Sequence, residues 1–234
     1  MRFNPYILGS SNLIPPNPYY PVGPDCVLYH AYWDGTAVDH SAAGNNGTLI
    51  GSVLPSFGLT GLTFDGVTAH DQAVTLGNPV SLQVFSTNVY TFEAWINPTG
   101  ADLLPTLFGQ SNTISSFDVE IFASGTTNGF AILRPGVDRY YSKDNVISDG
   151  TWVHLAITNS GPTGHPIMYV NAVDQTLTST VYVISAEGNK DIGRRATQYW
   201  NFKGIIGEIR IYNDELSAGQ LLVNFNATKG RYLA

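Results

Sequence analysis

Two stretches of the chain, Tyr90-Thr91-Phe92-Glu93-Ala94-Trp95-Ile96 and Trp152-Val153-His154-Leu155-Ala156-Ile157, alternate side-chain character with a period of two. That period belongs to a β-strand with one face in a core. Ile167 to Val170 and Ile205 to Tyr212 read as further strands, and the strand-and-turn pattern runs from about Cys26 to Asn213. Asn46-Gly47, Asp65-Gly66, Asn128-Gly129 and Asp149-Gly150 supply dipeptides that accept positive φ and reverse the chain tightly. One segment changes period. Leu216 to Phe225 sets Leu221, Leu222 and Phe225 on one helical face behind Ser217, a good N-cap, and predicts a short C-terminal helix.

Residues 1–24 follow neither period. The run Pro15-Pro16-Asn17-Pro18-Tyr19-Tyr20-Pro21-Val22-Gly23-Pro24 cannot enter a sheet interior, because proline has no ladder donor, and it favours an extended polyproline path. Phe3, Tyr6, Ile7, Leu8, Leu13, Ile14, Tyr19 and Tyr20 make the segment more apolar than a solvated tail. Three readings stay open: a disordered leader, an anchoring arm laid across a neighbour, and a strap on its own domain. The expected division is therefore an extended arm over 1–24 and one β domain over 25–234 that includes the helix.

Composition narrows the class of partner. A chain of 234 residues with 24 Gly, 13 Pro and only 12% charged residues suits many short strands in one all-β domain. The net charge of -7, with basic residues scattered, argues against nucleic acid and anionic membranes, which reward clustered Lys and Arg. No run nears the roughly 18 apolar residues of a membrane span, so membrane insertion is not expected. Met1 to Tyr20 lacks the apolar stretch of a signal peptide, and the lone Cys26 allows no internal disulfide. Folding in a cytoplasm is the expectation.

Five motifs then stand in fixed order: Asp39 to Thr48 (DHSAAGNNGT), Gly61 to Val67 (GLTFDGV), Tyr90 to Pro98 (YTFEAWINP), Gly150 to Ala156 (GTWVHLA) and Gly204 to Asn213 (GIIGEIRIYN). Together they resemble the laminin-G-like branch of the concanavalin A-like lectin/glucanase jelly rolls. The resemblance implies an all-β, two-sheet antiparallel jelly-roll sandwich with the last strand pairing near the first. Leu222 to Tyr232 (LVNFNATKGRY) resembles the closing segment of lectin-like modules in tailed-bacteriophage structural proteins. That second likeness implies a non-catalytic virion surface protein, in head decoration or in the tail or fibre apparatus, made in the host cytoplasm without a signal peptide. Its implied partners are other virion proteins through the arm, further copies of itself in a homo-oligomer, and a host-surface glycan. The alternative is a free-standing carbohydrate-binding lectin, with or without calcium.

Candidate chemistry follows from these frames. Glucanases that are similar in fold use a Glu-x-Asp-x-Glu strand, whose outer carboxylates share one face as nucleophile and acid/base. Here the strand reads Ser116-Phe117-Asp118-Val119-Glu120, so the nucleophile position holds serine; Asp118 and Glu120 read as a solvated or hydrogen-bonded surface pair and no enzyme is expected. His154 reads as a packing and hydrogen-bonding residue of its sheet. For glycans, an aromatic platform beside planar hydrogen-bonding groups is the recognisable pattern. Arg195, Gln198, Tyr199, Trp200 and Asn201 form one such set and Tyr140 belongs to another, although an aromatic here can equally pack across a sheet edge. No cofactor or metal is assigned. Asp39 with Asn45 and Asn46, or Asp65 with Asp71, could hold Ca²⁺ as oxygen ligands, or simply cap turns.

Overall fold

Fifteen strands and one helix follow in chain order among the described residues. They are β1 (Cys26–Ala31), β2 (Thr48–Ile50), β3 (Ser56–Gly58), β4 (Gly61–Asp65) and β5 (Ala73–Gly77). Next come β6 (Val89–Pro98), β7 (Thr106–Gln110), β8 (Asp118–Phe122), β9 (Gly129–Arg134) and β10 (Asp138–Tyr141). The series closes with β11 (Val153–Ser160), β12 (Ile167–Val170), β13 (Val173–Asp174), β14 (Lys190–Ile192), β15 (Lys203–Tyr212) and helix α1 (Ala218–Tyr232). The computed structural model describes residues 23, 25–100, 105–110, 117–122, 128–134, 138–177, 183–195 and 200–233. The arm residues Phe3, Tyr6, Ile7, Leu8, Leu13, Ile14, Tyr19 and Tyr20 lie outside these, as do Ser116, Gln198 and Tyr199.

The strands form two antiparallel sheets. One runs β13-β12-β11-β6-β15-β4-β3, and β1 pairs with β15 as well; the other runs β10-β9-β8-β7-β14-β5-β2. β15 is long enough to hold two neighbours on one edge: β4 opposite Lys203 to Ile206, and β1 opposite Glu208 to Tyr212. The predicted alternation is what fills the space between the sheets. Phe92, Ala94 and Ile96 of β6, Leu155 and Ile157 of β11, and Ile209 and Ile211 of β15 meet Val119, Ile121, Phe130 and Ile132 of the second sheet. Phe85, carried by a 3-10 turn before β6, stacks on Phe117 with ring centroids 4.3 Å apart. Each such ring or aliphatic chain taken from water stabilises the sandwich by about 1.5–3 kcal/mol.

The opposite face of the first sheet is not left to solvent. α1 lies across it and covers a second cluster built from Cys26, Tyr29, Ala31, Ala156, Tyr169, Tyr212, Leu216 and Leu221. Ser217 caps the helix as expected: Gln220 donates its backbone N–H to the Ser217 hydroxyl at 3.4 Å, and Ser217 returns one to the Gln220 side chain at 2.9 Å. The helix is longer than predicted, and its inward face differs. Leu221, Asn224, Thr228 and Tyr232 point to the sheet, while Leu222 is 48% exposed. Periodicity of apolar residues could not find that face because half of it is polar.

Those polar residues answer charges on the sheet. Asn224 donates to both carboxylate oxygens of Glu93 at 3.0 and 3.2 Å, and the Trp95 indole N–H donates to Thr228 Oγ1 at 2.8 Å. Arg210 sits 3.6 Å from Glu93 and 3.5 Å from Glu208, which Arg231 approaches to 3.8 Å from the helix. His154 packs against Trp95 and Phe225, and burial lowers its pKa to about 3, so it remains neutral. Cys26 is a buried thiol, its pKa raised by burial to about 12. Tyr232 crosses β15 where residue 207 is glycine; a Cβ there would lie 2.5 Å from the tyrosine ring.

Candidate functional site

On the second sheet the alternation of β8 sends Val119 and Ile121 into the core and turns Asp118 and Glu120 to the outer face. The expectation that these two carboxylates form a surface pair is corrected here, for both are fully buried. The segment that begins at Gly193 and ends at Phe202 has its described residues, 193–195 and 200–202, against β7 beside them. Its ends meet through a hydrogen bond from Phe202 N to Gly193 O at 2.8 Å, and Gly193 N donates to Leu107 O at 2.9 Å. It rests on Gly109 of β7, where a Cβ would come within 2.9 Å of the Arg194 carbonyl and of Arg195 Cα. Only glycine lets two backbones approach so closely.

Arg195 is thereby driven inward. Its Nε lies 2.7 Å from Asp118 Oδ2, with 4% of the arginine side chain exposed, and its guanidinium stands 5.1 Å from the Trp200 ring centroid. Burial raises the Asp118 pKa to about 6 even though Arg195 and the Gln110 N–H favour the charged form. Arg195 therefore ties this segment to β8 and backs the partly exposed indole of Trp200. Asn201 pairs with Thr106 in an isolated bridge, and Thr106 N donates to Trp200 O at 3.1 Å. The Asn201 Oδ1 and Thr106 Oγ1 atoms are both buried, and neither finds a hydrogen-bond partner among the described residues. A buried polar atom left this way costs about 1–3 kcal/mol.

A second loop, unsuspected as a partner of the first, completes the rim. Residues 65–72 reach the Trp200 segment through Asn201 Nδ2, which donates to Val67 O at 3.3 Å. Arg194 Nη1 pairs with Asp71 Oδ2, and Arg194 Nε donates to Asp191 Oδ2 at 2.9 Å. His70 Nδ1 lies 2.6 Å from Asp65 Oδ2, both side chains about one third exposed. The rim thus gathers an indole, a carboxamide, an imidazole, a guanidinium and carboxylates where the chain passes between the two sheets, from β4 to β5 and from β14 to β15. The sequence offered Asp65 and Asp71 as oxygen ligands or as turn caps; nothing local signals that Asp71 meets Arg194.

The remaining candidates separate from this rim. Tyr140 pairs with Ile132 and joins the inter-sheet core at 1% exposure, so it presents no surface to a ligand; its neighbour Tyr141 faces outward. Asp39 caps a turn, accepting from Tyr29 N, Ser41 N, Ser41 Oγ and Asn45 N at 2.7–2.9 Å. Asn46 accepts from Asp39 N, and Asn45 donates to Val27 O. Among the described residues no group of three or more His, Cys, Asp or Glu side chains is arranged to hold a metal ion. No helix among them is long and apolar enough to cross a membrane.

Comparison with known proteins gives the same architecture. Residues 66–221 match the family model described as Laminin_G_3, concanavalin A-like lectin/glucanases superfamily. No curated protein matches the chain. Among solved structures, domain 4 of the extracellular arabinanase AbnA from Geobacillus stearothermophilus, in complex with arabinotriose, superposes with a TM-score of 0.65 at 18% identity, over 85% of this chain and 97% of that one. The Trypanosoma rangeli sialidase in complex with 2,3-difluorosialic acid gives 0.65 at 11% identity, over 89% of this chain and 34% of that one. Botulinum neurotoxin type C, whose cell entry depends on interaction with two ganglioside molecules, gives 0.64 at 14% identity, over 87% and 51%. This chain therefore spans almost all of the arabinanase domain but about a third of the sialidase and half of the toxin structure.

Proposed function

Because the chain belongs to the concanavalin A-like lectin/glucanases superfamily, we propose that it is a non-catalytic carbohydrate-binding module whose ligand meets the rim formed by residues 65–72 with Trp200 and Asn201. The observation that carries this reading is the Trp200 indole, partly exposed, backed by the Arg195 guanidinium at 5.1 Å and next to Asn201, which is joined to loop 65–72. An aromatic face with adjacent hydrogen-bonding capacity suits a sugar, which offers C–H groups on one side and hydroxyls around its edge. The likeness to an arabinanase domain held with arabinotriose, over nearly that domain's full length, supports a module of this size. Hydrolysis is not part of the proposal. Ser116 stands where the related glucanases carry their nucleophile, and Asp118 is engaged by Arg195.

The test is binding of the full chain to a glycan array, followed by calorimetry on the strongest ligand. Trp200→Ala should weaken binding about two- to tenfold, since an aromatic contact of this kind contributes on the order of 0.5–1.5 kcal/mol, and should leave the melting temperature nearly unchanged. Undiminished affinity in that variant would remove the rim as the site.

A virion setting is the second reading, in which the protein folds in a host cytoplasm and sits on the particle as repeated copies held by residues 1–24. The apolar, proline-rich arm favours it. The closing segment adds less support than its sequence suggests. Asn224, Thr228 and Tyr232 are accounted for by their contacts with Glu93, Trp95 and Gly207. Packing of a helix on a sheet is sufficient reason for those residues, whatever the protein is attached to.

A further inference from the structure

The first sheet ends on an edge that its own strands leave uncovered. β3 pairs with β4 on one side, and among the described residues no strand pairs with its other side. All three residues of β3 are exposed. Phe57 stands opposite the fully buried Leu62, so its ring takes the core-facing side of the sheet, 6.5 Å from the Tyr32 ring. Even so, 37% of Phe57 remains in solvent. Val53 and Leu54 before the strand and Leu59 after it are exposed as well, Leu59 to 92%. A bare, apolar strand edge is a template for another strand, and stable proteins cover such edges.

We propose that the outer edge of β3 is the seat of the chain's own N-terminal segment, with Tyr6-Ile7-Leu8 added as a further strand and Pro15 to Pro24 as the connector. Tyr6, Ile7 and Leu8 are consecutive apolar residues that keep their backbone donors, bounded by Pro5 and Gly9, and they match the three residues of β3 in length. The distance suits the connector. β1 begins opposite Tyr212, whereas β4, the neighbour of β3, holds Leu62 opposite Ile206. The two points lie roughly 20 Å apart along β15, and the new strand lies about 10 Å further across the sheet, at ordinary strand rise and spacing. A polyproline path over Pro15 to Pro24 covers about 31 Å, and residues 9–14 add slack. A connector already extended loses little entropy on seating. Backbone pairing then holds the segment, and its side chains cover Phe57 and Leu59. The proposal is independent of the glycan reading and competes with the virion setting, in which the same segment lies across a neighbour.

Paired thiols in the full chain test this. One variant carries Leu8→Cys with Leu59→Cys; the control carries Leu8→Cys with Leu222→Cys, an exposed position on α1. The native Cys26 is buried, with its thiol pushed up to about 12, and stays out of the reaction. Under mild oxidation the first variant should close to a disulfide-linked monomer at least about tenfold faster than the control, because seating raises the effective concentration of one thiol beside the other. Equal rates overturn the seat. Linked dimers in preference to closed monomers show exchange of the segment between copies and overturn the own-chain strap. A second readout needs no new thiol: Ile7→Asp should speed amide hydrogen exchange of residues 56–58 about tenfold, since the outer edge of β3 loses its cover. Exchange that Ile7→Asp leaves unchanged overturns the proposal as well.

Discussion

Glu93 shows how a single residue here ties fold to pH. Its carboxylate is buried under α1, and burial raises its pKa from 4.5 to about 7 despite Arg210 and the Asn224 amide, which favour the charge. A folded-state pKa above the unfolded value means that the native chain holds its proton longer. The stability from this group is fully present below about pH 4.5 and is lost as pH rises through 7. Glu93→Gln fixes the neutral form. Relative to the native chain, it should therefore gain stability between pH 4.5 and 8, by on the order of 3 kcal/mol at about 1.4 kcal/mol per pKa unit. His154 and His30 act in the opposite sense, since burial lowers them to about 3 and about 4, and they withdraw stability as pH falls below 6.5. Urea denaturation of both proteins across this range isolates Glu93 by difference. A difference that does not vary with pH would mean that its proton is not linked to folding. Tyr140 teaches a different residue-scale lesson. Tyr140 and Tyr141 are the same side chain one step apart, and the strand's two-residue period alone decides that the first is core and the second faces outward.

At the scale of an element, α1 is held by polar contacts more than by an apolar stripe. The cap at Ser217 was readable because Ser-x-x-Gln is a local signal. The docking face was not, because Asn224 and Thr228 look like surface residues until Glu93 and Trp95, more than 130 positions earlier, are brought beneath them. Thr228→Val keeps shape and β-branching and removes the acceptor of the Trp95 N–H, at 2.8 Å, together with the hydroxyl's own bond to Asn224 O, at 3.0 Å. Leaving that donor buried and unpaired should cost about 1–3 kcal/mol of stability in a denaturant titration. A loss below a few tenths of a kcal/mol would show the helix to be held by its ring contacts alone. The same long-range logic governs the rim, where Arg194 meets Asp71 across 123 positions.

For the whole molecule the open quantity is the number of copies. Anchoring by the arm predicts that the full chain self-associates, or binds a particle, and that a chain lacking residues 1–24 does not. Sedimentation of the two proteins decides it; identical monomers would end the anchoring reading and leave a free module. The arm stops before β1, whose backbone pairs with β15 from Cys26 onward, so the truncation removes no described ladder.

What the sequence by itself determined is what short-range chemistry encodes. Alternation along Tyr90 to Ile96 requires a sheet with two unlike faces, glycine-bearing dipeptides require tight reversals, and Ser217 requires a helix start. The motif order carried the sandwich, since each motif is a strand or a turn with its own local rule. Tertiary structure decided everything that depends on which strands become neighbours. It turned Asp118 and Glu120 from surface groups into buried ones, with Arg195 brought against Asp118. It set Arg195 against Asp118 and left Trp200 partly exposed, and it brought loop 65–72 to Asn201. Sheet order is fixed by the total burial of two faces, a sum over the whole chain, and no window of sequence contains it.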